Sequence, residues 1–270
     1  MPELESLGDL TNCRVLVRCD FNVPIAAGEI QDDFRVRAAL PTLTYLMEAG
    51  ASVTTCSHLG RPGGVVDPTF SMDPVRSLLA ELAPGIGVLE NLRFDPGETG
   101  NDPAFIQALV EDQDVYVNDA FGACHRNHAS VVGPPVHLPS AAGRLLANEV
   151  RVLDALRTQP RRPFLVILGG AKVSDKLGVI DALLEVADDL IIGGGMCFSF
   201  LAAKGARVGS SLLEEEMIET CARLLDSGAP IRLPIDITAL GPGGVIGEPS
   251  KGGEVRQVGT SMPEGWMGLD

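Results

Sequence analysis

The sequence predicts an α/β protein with open, mostly parallel β-sheets. Three observations carry that expectation. Short runs rich in Val, Ile and Leu alternate with segments of helical periodicity, the order that lays helices over a parallel sheet. These runs lack the polar alternation of a half-exposed sheet, as strands buried on both faces do. The 270 residues, 45% hydrophobic and 21% charged, suffice for two globular domains, so no disulfide or metal staple is required.

Strands are expected at residues 14–19, 52–56, 87–89, 114–117, 164–168, 190–192 and 231–233. Pro41 reads as the first residue of a helix over 41–49, with Leu43, Leu46 and Met47 at helical spacing and Gly50 as terminator. Ser174 reads as the N-cap of a helix over 175–186 that places Leu177, Ile180, Leu183 and Leu184 on one face. A long helix over 141–157, followed by Thr158-Gln159-Pro160-Arg161-Arg162-Pro163, reads as the connector between two α/β units. From Leu240 the chain turns glycine-rich, and an irregular excursion with one short strand over 254–258 is expected.

The formal net charge is −15, from 21 basic and 36 acidic residues. That argues against nucleic acid or an anionic membrane as a partner, since both want a basic surface. The longest charge-free apolar stretch, residues 190–203, is interrupted by Gly193-Gly194-Gly195 and is too short to cross a bilayer. Met1-Pro2-Glu3-Leu4-Glu5 lacks the basic start and apolar core of a signal peptide, so a cytoplasmic location is expected. The six cysteines form no CxxC pair, and most are expected as small buried core residues. The four lysines, Lys172, Lys176, Lys204 and Lys251, all follow residue 160. Before that the basic residues are arginines, by codon bias or for their planar fork.

Ligands of an open α/β sheet bind outside the carboxyl ends of its strands. Four successive strands of the first half end in polar groups. The first is followed by Asp20-Phe21-Asn22, the second by Ser57-His58-Leu59-Gly60-Arg61-Pro62-Gly63-Gly64. The third is followed by Glu90-Asn91-Leu92-Arg93-Phe94, and the fourth by Asn118-Asp119-Ala120-Phe121-Gly122 and then His125-Arg126. If these ends share one sheet, His58, Arg61, Arg93 and Arg126 converge with Asp20 and Asn22, and Arg35 is within reach. Such a cluster in an acidic protein suits a small, multiply anionic ligand. Any one of these arginines alone could be a solvated surface charge, and Asp20 and Asn22 could be turn formers ahead of Pro24. Cys124, His125 and His128 lack the fourth ligand and the spacing of a zinc site.

The second half carries different chemistry. The strand over 164–168 runs into Gly169-Gly170-Ala171-Lys172-Val173-Ser174-Asp175-Lys176 and then a helix. Glycines, a helix N-terminus and lysines are the parts of a phosphate cradle. Neither GxxxxGK[ST] nor GxGxxG is present, so a Walker loop is excluded and a dinucleotide site is weakly supported. A second strand ends in Gly193-Gly194-Gly195-Met196, which again lets a nucleotide approach the backbone. Glycines chosen only for tight strand–helix turns are the alternative.

These motifs, in this order from about residue 10 to the last residue, closely resemble phosphoglycerate kinases; Arg18-Cys19-Asp20-Phe21-Asn22-Val23-Pro24 and Gly265-Trp266-Met267-Gly268-Leu269-Asp270 belong to the same pattern. The resemblance implies two Rossmann-like three-layer αβα lobes joined by a hinge, an N-lobe over residues 1–157 and a C-lobe over 158–270. It implies phosphoryl transfer between ATP and the carboxylate of 3-phosphoglycerate, giving 1,3-bisphosphoglycerate and ADP, by a monomer. Asp20, Asn22, Arg35, His58, Arg61, Arg93 and Arg126 would contact the acid. Lys172 and Lys176 would meet the nucleotide phosphates, and Gly193, Gly194 and Gly268 would line the nucleotide site. Arg35 and Lys172 would neutralise the transferring group. A carboxylate nucleophile needs no general base, so positioning and charge neutralisation carry the reaction, with hinge closure excluding water.

The family pattern continues past the point where this sequence stops. The C-lobe is therefore expected to be truncated, with the magnesium ligand of the ATP site in the missing part and little kinase activity in the chain itself. A phospho-acid-binding fragment without turnover is the alternative. A nicotinamide-dependent dehydrogenase is more distant, since it would want the absent dinucleotide fingerprint.

Overall fold

The computed structural model describes residues 1–246 and 252–269; Lys251 and Asp270 lie outside the described residues. The chain divides into two compact units, Met1–Leu153 and Asp154–Asp270. In the first, β1 (Arg14–Arg18) is followed by a hairpin of β2 (Ile25–Ala26) and β3 (Glu29–Ile30), then α1 (Phe34–Glu48), β4 (Ser52–Cys56), α2 (Asp73–Leu82) and β5 (Gly87–Val88). Next come α3 (Pro96–Gly100), α4 (Pro103–Val110), β6 (Val115–Asn118), α5 (Ala129–Val132), α6 (Pro134–His137), β7 (Ser140–Ala142) and α7 (Arg144–Thr158). Strands β5-β4-β1-β6-β7 form one sheet in that order, every pair parallel. The expected α/β class with parallel sheets is therefore present.

The pleat of β1 explains the layering. Successive side chains of a strand point to opposite faces. Val15 and Val17 enter a core with Val36, Leu43 and Leu46 of α1 and Val75 and Leu79 of α2. Leu16, between them, packs with Tyr116 and with Leu109 and Val110 of α4. The strand is thus apolar on both faces because helices cover both. Truncating one such side chain costs about 2–5 kcal/mol in a core of this kind.

Two helix boundaries differ from the sequence expectation. α1 begins at Phe34 and carries Pro41 inside it. The Asp32 carboxylate accepts the Phe34 amide, and Val36, Ala39, Leu43 and Leu46 make a buried stripe with helical spacing. Burial along that stripe offsets the roughly 3 kcal/mol that a proline costs a helix interior. The helix expected from 141 starts at Arg144, because residues 140–142 pair with β6 as strand β7. Buried Asp119 sits at that start and accepts the amides of Leu145 (2.9 Å) and Leu146 (3.3 Å). A Cβ on Gly143 would stand 2.2 Å from Asp119 Oδ1, so only glycine fits there.

In the second unit, β8 (Leu165–Leu168), α8 (Leu177–Leu184), β9 (Asp189–Ile192), α9 (Cys197–Ala203), α10 (Ile218–Asp226) and β10 (Ile231–Arg232) build a parallel sheet of order β10-β9-β8. Ser174 is not the N-cap expected of it. It opens a 3-10 turn ahead of α8, and its hydroxyl donates to Glu214. The glycine-rich tail is more regular than expected. β11 (Asp236–Leu240) pairs antiparallel with both β12 (Val255–Gly259) and β13 (Met267–Gly268). Leu190, Ile192, Met196, Phe198, Phe200, Ile237 and Met262 share one core. Four of the six cysteines are buried; Cys13 is half-buried and Cys124 exposed. Among the described residues no helix is long and apolar enough to cross a membrane.

Candidate functional site

Because the first sheet is all-parallel, the carboxyl ends of β1, β4, β5 and β6 lie along one edge, with Arg18 in register with both Cys56 and Asn118. The four polar segments that follow therefore meet. Arg61, Arg93 and Arg126 line one cleft of about 340 Å³, together with Gly63, Gly64, Thr99 and His128.

Each segment is tied down locally. Asn91, after β5, accepts the amides of Leu59 and Arg93, and its amide nitrogen donates to the carbonyls of Leu59 and Phe70. That stitches the His58–Gly60 turn to the Arg93 turn. Arg93 is 7% exposed and donates from Nη1 to the Gly60 carbonyl at 2.7 Å, while its Nε, also buried, has no hydrogen-bond partner among the described residues. Burial lowers the pKa of Arg93, and Arg126, Arg18 and Arg61 lower it further. It remains charged, since guanidinium does not deprotonate in proteins. Three like charges around one cleft repel one another, and an anion bound among them would relieve that repulsion.

His58 is 7% exposed. Its pKa is lowered to about 2 by burial first, then by Arg18, Arg93, Arg126 and His128. The ring is neutral at physiological pH. His128 is also lowered, by burial against the opposing pull of Glu98, and its Nδ1 lies 3.6 Å from Glu98 Oε1.

The remaining expected residues of this unit lie beside these. Asn22 Oδ1 accepts the Gly60 amide at 2.8 Å, so Asn22 is anchored to the same turn that Arg93 holds. Exposed Arg35 pairs with Asp20. Asp20, Asn22 and Arg35 are not among the residues lining the arginine cleft, and neither is His58. Asp20, Asn22 and Arg35 form a neighbouring group joined to it through Gly60, and His58 stands close enough to Arg93 and Arg126 to feel their charge.

In the second unit the two glycine loops meet through their backbones. Gly193 donates to the Leu168 carbonyl, and Met196 to that of Gly170. Gly194 has φ +63°, and a Cβ there would lie 3.0 Å from the Gly170 nitrogen. Lys172 is exposed and Lys176 half-buried. The loop bearing them is fixed by Glu214, which accepts the amides of Val173 and Ser174 and feels the Lys172 charge. Gly268 is buried on β13 against Phe198 in the first turn of α9, the helix that the Gly193–Gly195 loop leads into.

Sequence reasoning missed Thr99, Glu98 and the inward side chain of Arg18, and weighed His128 only as a metal ligand. A charged residue ending an apolar strand, as Arg18 does, is the signal that could have pointed inward. Glu98 sits in Asp95-Pro96-Gly97-Glu98 and looks like an ordinary surface carboxylate until α3 folds it under the cleft.

The family model described as phosphoglycerate kinase matches residues 4–85 and 84–270. This chain belongs to the phosphoglycerate kinase family. It is 49% identical to phosphoglycerate kinase of Rubrobacter xylanophilus, over 97% of this chain and 72% of the relative. It is 52% identical to that of Salinispora arenicola, over 86% of this chain and 66% of the relative. The solved phosphoglycerate kinase of Coxiella burnetii superposes with a TM-score of 0.83 at 31% identity, covering 98% of this chain and 73% of that one. The chain thus spans about two thirds to three quarters of the length of these phosphotransferases.

Proposed function

We propose that the first unit binds 3-phosphoglycerate or 1,3-bisphosphoglycerate and the second binds ATP or ADP with magnesium, for reversible phosphoryl transfer between ATP and the substrate carboxylate. The observation that carries this reading is the convergence of Arg61, Arg93 and Arg126 on one cleft beside neutral His58. Three guanidinium groups suit the dianionic phosphate of the acid, since each can present two parallel donors to phosphate oxygens. Asp20, Asn22 and Arg35, next along the sheet edge, are assigned to the hydroxyl and carboxylate end of the substrate. Arg35 there serves the oxygen that accepts the phosphoryl group, and its pairing with Asp20 holds it in reserve.

For the nucleotide, the fit rests on the glycine loops of the second unit. A Cβ at Gly193 would meet nothing within 4 Å, so the backbone there stands open to an approaching phosphate, while Gly194 is packed against the Gly170 backbone and holds the two loops together. Lys172 and Lys176 are assigned to the phosphate oxygens, Gly193 and Gly194 to the loop under them, and Gly268 to the wall beyond α9. When bound, magnesium would neutralise the phosphate chain. No group of three or more His, Cys, Asp or Glu side chains that could hold a metal ion occurs among the described residues, so no residue is assigned to it.

A second reading, phospho-acid binding without turnover, is favoured by one observation: the arginine cleft is complete within residues 61–128. Calorimetry and a coupled kinase assay on the same chain separate the two. Binding of 3-phosphoglycerate but not glycerate, with ADP binding and turnover, is the result expected of the kinase. Binding without turnover selects the second reading, and no preference for 3-phosphoglycerate over glycerate rejects both.

A further inference from the structure

We propose that Arg18 and Glu98, buried behind the cleft, are positioning residues that fix His58 as the neutral tautomer with its proton on Nε2. Both side chains are fully buried, and neither is among the residues lining the cleft. Any influence they have on a ligand must pass through another group.

The assignment follows from donor counting. A guanidinium carries five N–H donors and no acceptor. Arg18 Nη2 lies 3.1 Å from His58 Nδ1, so Nδ1 must accept, and the ring proton sits on Nε2. A proton on Nδ1 would set two donors against each other inside the protein, and an imidazolium would add a further cation beside Arg18, Arg93 and Arg126. The lowered pKa of His58 is consistent with this.

The rest of Arg18 is held so that Nη2 has one place to be. Nε donates to Ser130 Oγ at 2.8 Å, and Nη1 donates to the Cys19 carbonyl. The Ser130 hydroxyl passes the chain on, donating to Glu98 Oε1 at 2.7 Å, while Glu98 Oε2 accepts the Ser130 amide at 2.9 Å. Glu98 Oε1 also stands 3.9 Å from Arg18 Nη2, so the buried charge is balanced. Removing one partner of such a pair is strongly unfavourable. The sequence Arg18–Ser130–Glu98 orients one imidazole rather than supplying charge to the ligand.

The purpose of this arrangement rests on the reading of the cleft as a phosphate site. His58 is not among the lining residues, but it keeps 7% of its surface exposed beside Arg93 and Arg126. There a neutral Nε2–H would offer a phosphate a directed hydrogen bond without adding to the repulsion among the arginines. It also orients the anion where the arginines, with several donors each, would accept many poses.

The test is two-bond 1H–15N correlation spectroscopy of the ligand-free chain labelled at histidine, at pH 7. The expected spectrum shows His58 with Nε2 protonated and Nδ1 bare; a proton on Nδ1, or on both nitrogens, overturns the proposal. Arg18→Met should turn His58 into a mixture of both tautomers, and Arg18→Lys, which keeps a donor-only cation, should restore the single form. If Arg18→Met does not fold, Ser130→Ala frees the guanidinium and should produce the mixture; a spectrum unchanged from wild type in the folded variant overturns the proposal. In the same variant, 3-phosphoglycerate should bind about tenfold more weakly, the worth of a hydrogen bond to a charged group, and unchanged affinity refutes the positioning role. Failure of the unmodified chain to bind 3-phosphoglycerate at all would overturn the reading of the site instead, a failure the tautomer spectrum tells apart.

Discussion

The two units hold the cations proposed to meet ligands in opposite ways. In the first, Arg93 and His58 are buried, and each is bonded to protein before any ligand arrives. In the second, Lys172 is exposed on a loop whose shape is set by glycine backbone and by Glu214. The first site spends folding stability on burying charge and gains fixed geometry. The second leaves its charges solvated and fixes only the backbone. A buried, pre-oriented donor is worth more to a ligand than a mobile exposed one, because less order remains to be created on binding.

That contrast sets the largest expected effect. Arg93→Ala should weaken 3-phosphoglycerate binding by about 100-fold or more, roughly 3 kcal/mol for a desolvated charge-assisted contact. Lys172→Ala should weaken ADP binding by only about fivefold, in line with about 1 kcal/mol for exposed ion pairs. Calorimetry on both variants checks this, and equal losses would break the comparison.

Acid should injure the first unit in particular. His58 has a folded pKa far below the ordinary value of 6.5, so below 6.5 the unfolded chain binds a proton that the folded chain refuses. Stability is therefore intact above pH 6.5 and falls as pH drops toward the folded value. The slope is about 1.4 kcal/mol per pH unit, or about 2 kcal/mol by pH 5. Hydrogen-exchange protection of the β1 amides should decline over this range, and His58→Gln should flatten the decline.

Asp119→Ala should cost about 1–2 kcal/mol, the usual worth of a helix cap, because it abandons the amides of Leu145 and Leu146. Urea denaturation measures it, and 3-phosphoglycerate affinity in the folded fraction should not change. A comparable local cost is expected at Gly194→Ala. Its positive φ and the 3.0 Å approach to Gly170 should cost about 1–2 kcal/mol locally and lower ADP affinity, leaving the first site untouched.

The sequence made the rim of the first site legible because parallel strands carry their ends to one edge. His58, Arg61, Arg93 and Arg126 each follow a strand within a few residues, so finding the strands found the site. The strand over 14–19 and its neighbours were readable from apolar content alone. Pro41 misled for a local reason: its preference for a first helical turn was overridden by the stripe of Val36, Ala39, Leu43 and Leu46. The antiparallel pairing of β11 with β12 and β13 was hidden by glycines that resemble loop residues. Glu98 and Ser130 were not legible at all. Their importance lies in a non-local meeting with Arg18, 80 and 112 residues away, which no local pattern encodes.

The central claim is that the first unit holds a phosphate site made before its ligand arrives. Arginine Nε–H signals of the labelled chain, followed while 3-phosphoglycerate is added, test it most directly. Buried Arg93 Nε bonds to no protein group among the described residues and should gain a phosphate partner, shifting strongly and saturating with the calorimetric affinity. Arg14, already paired with Asp112 and Asp114 at the other end of β1, should stay still. Measurable binding with Arg93 unmoved would contradict the account.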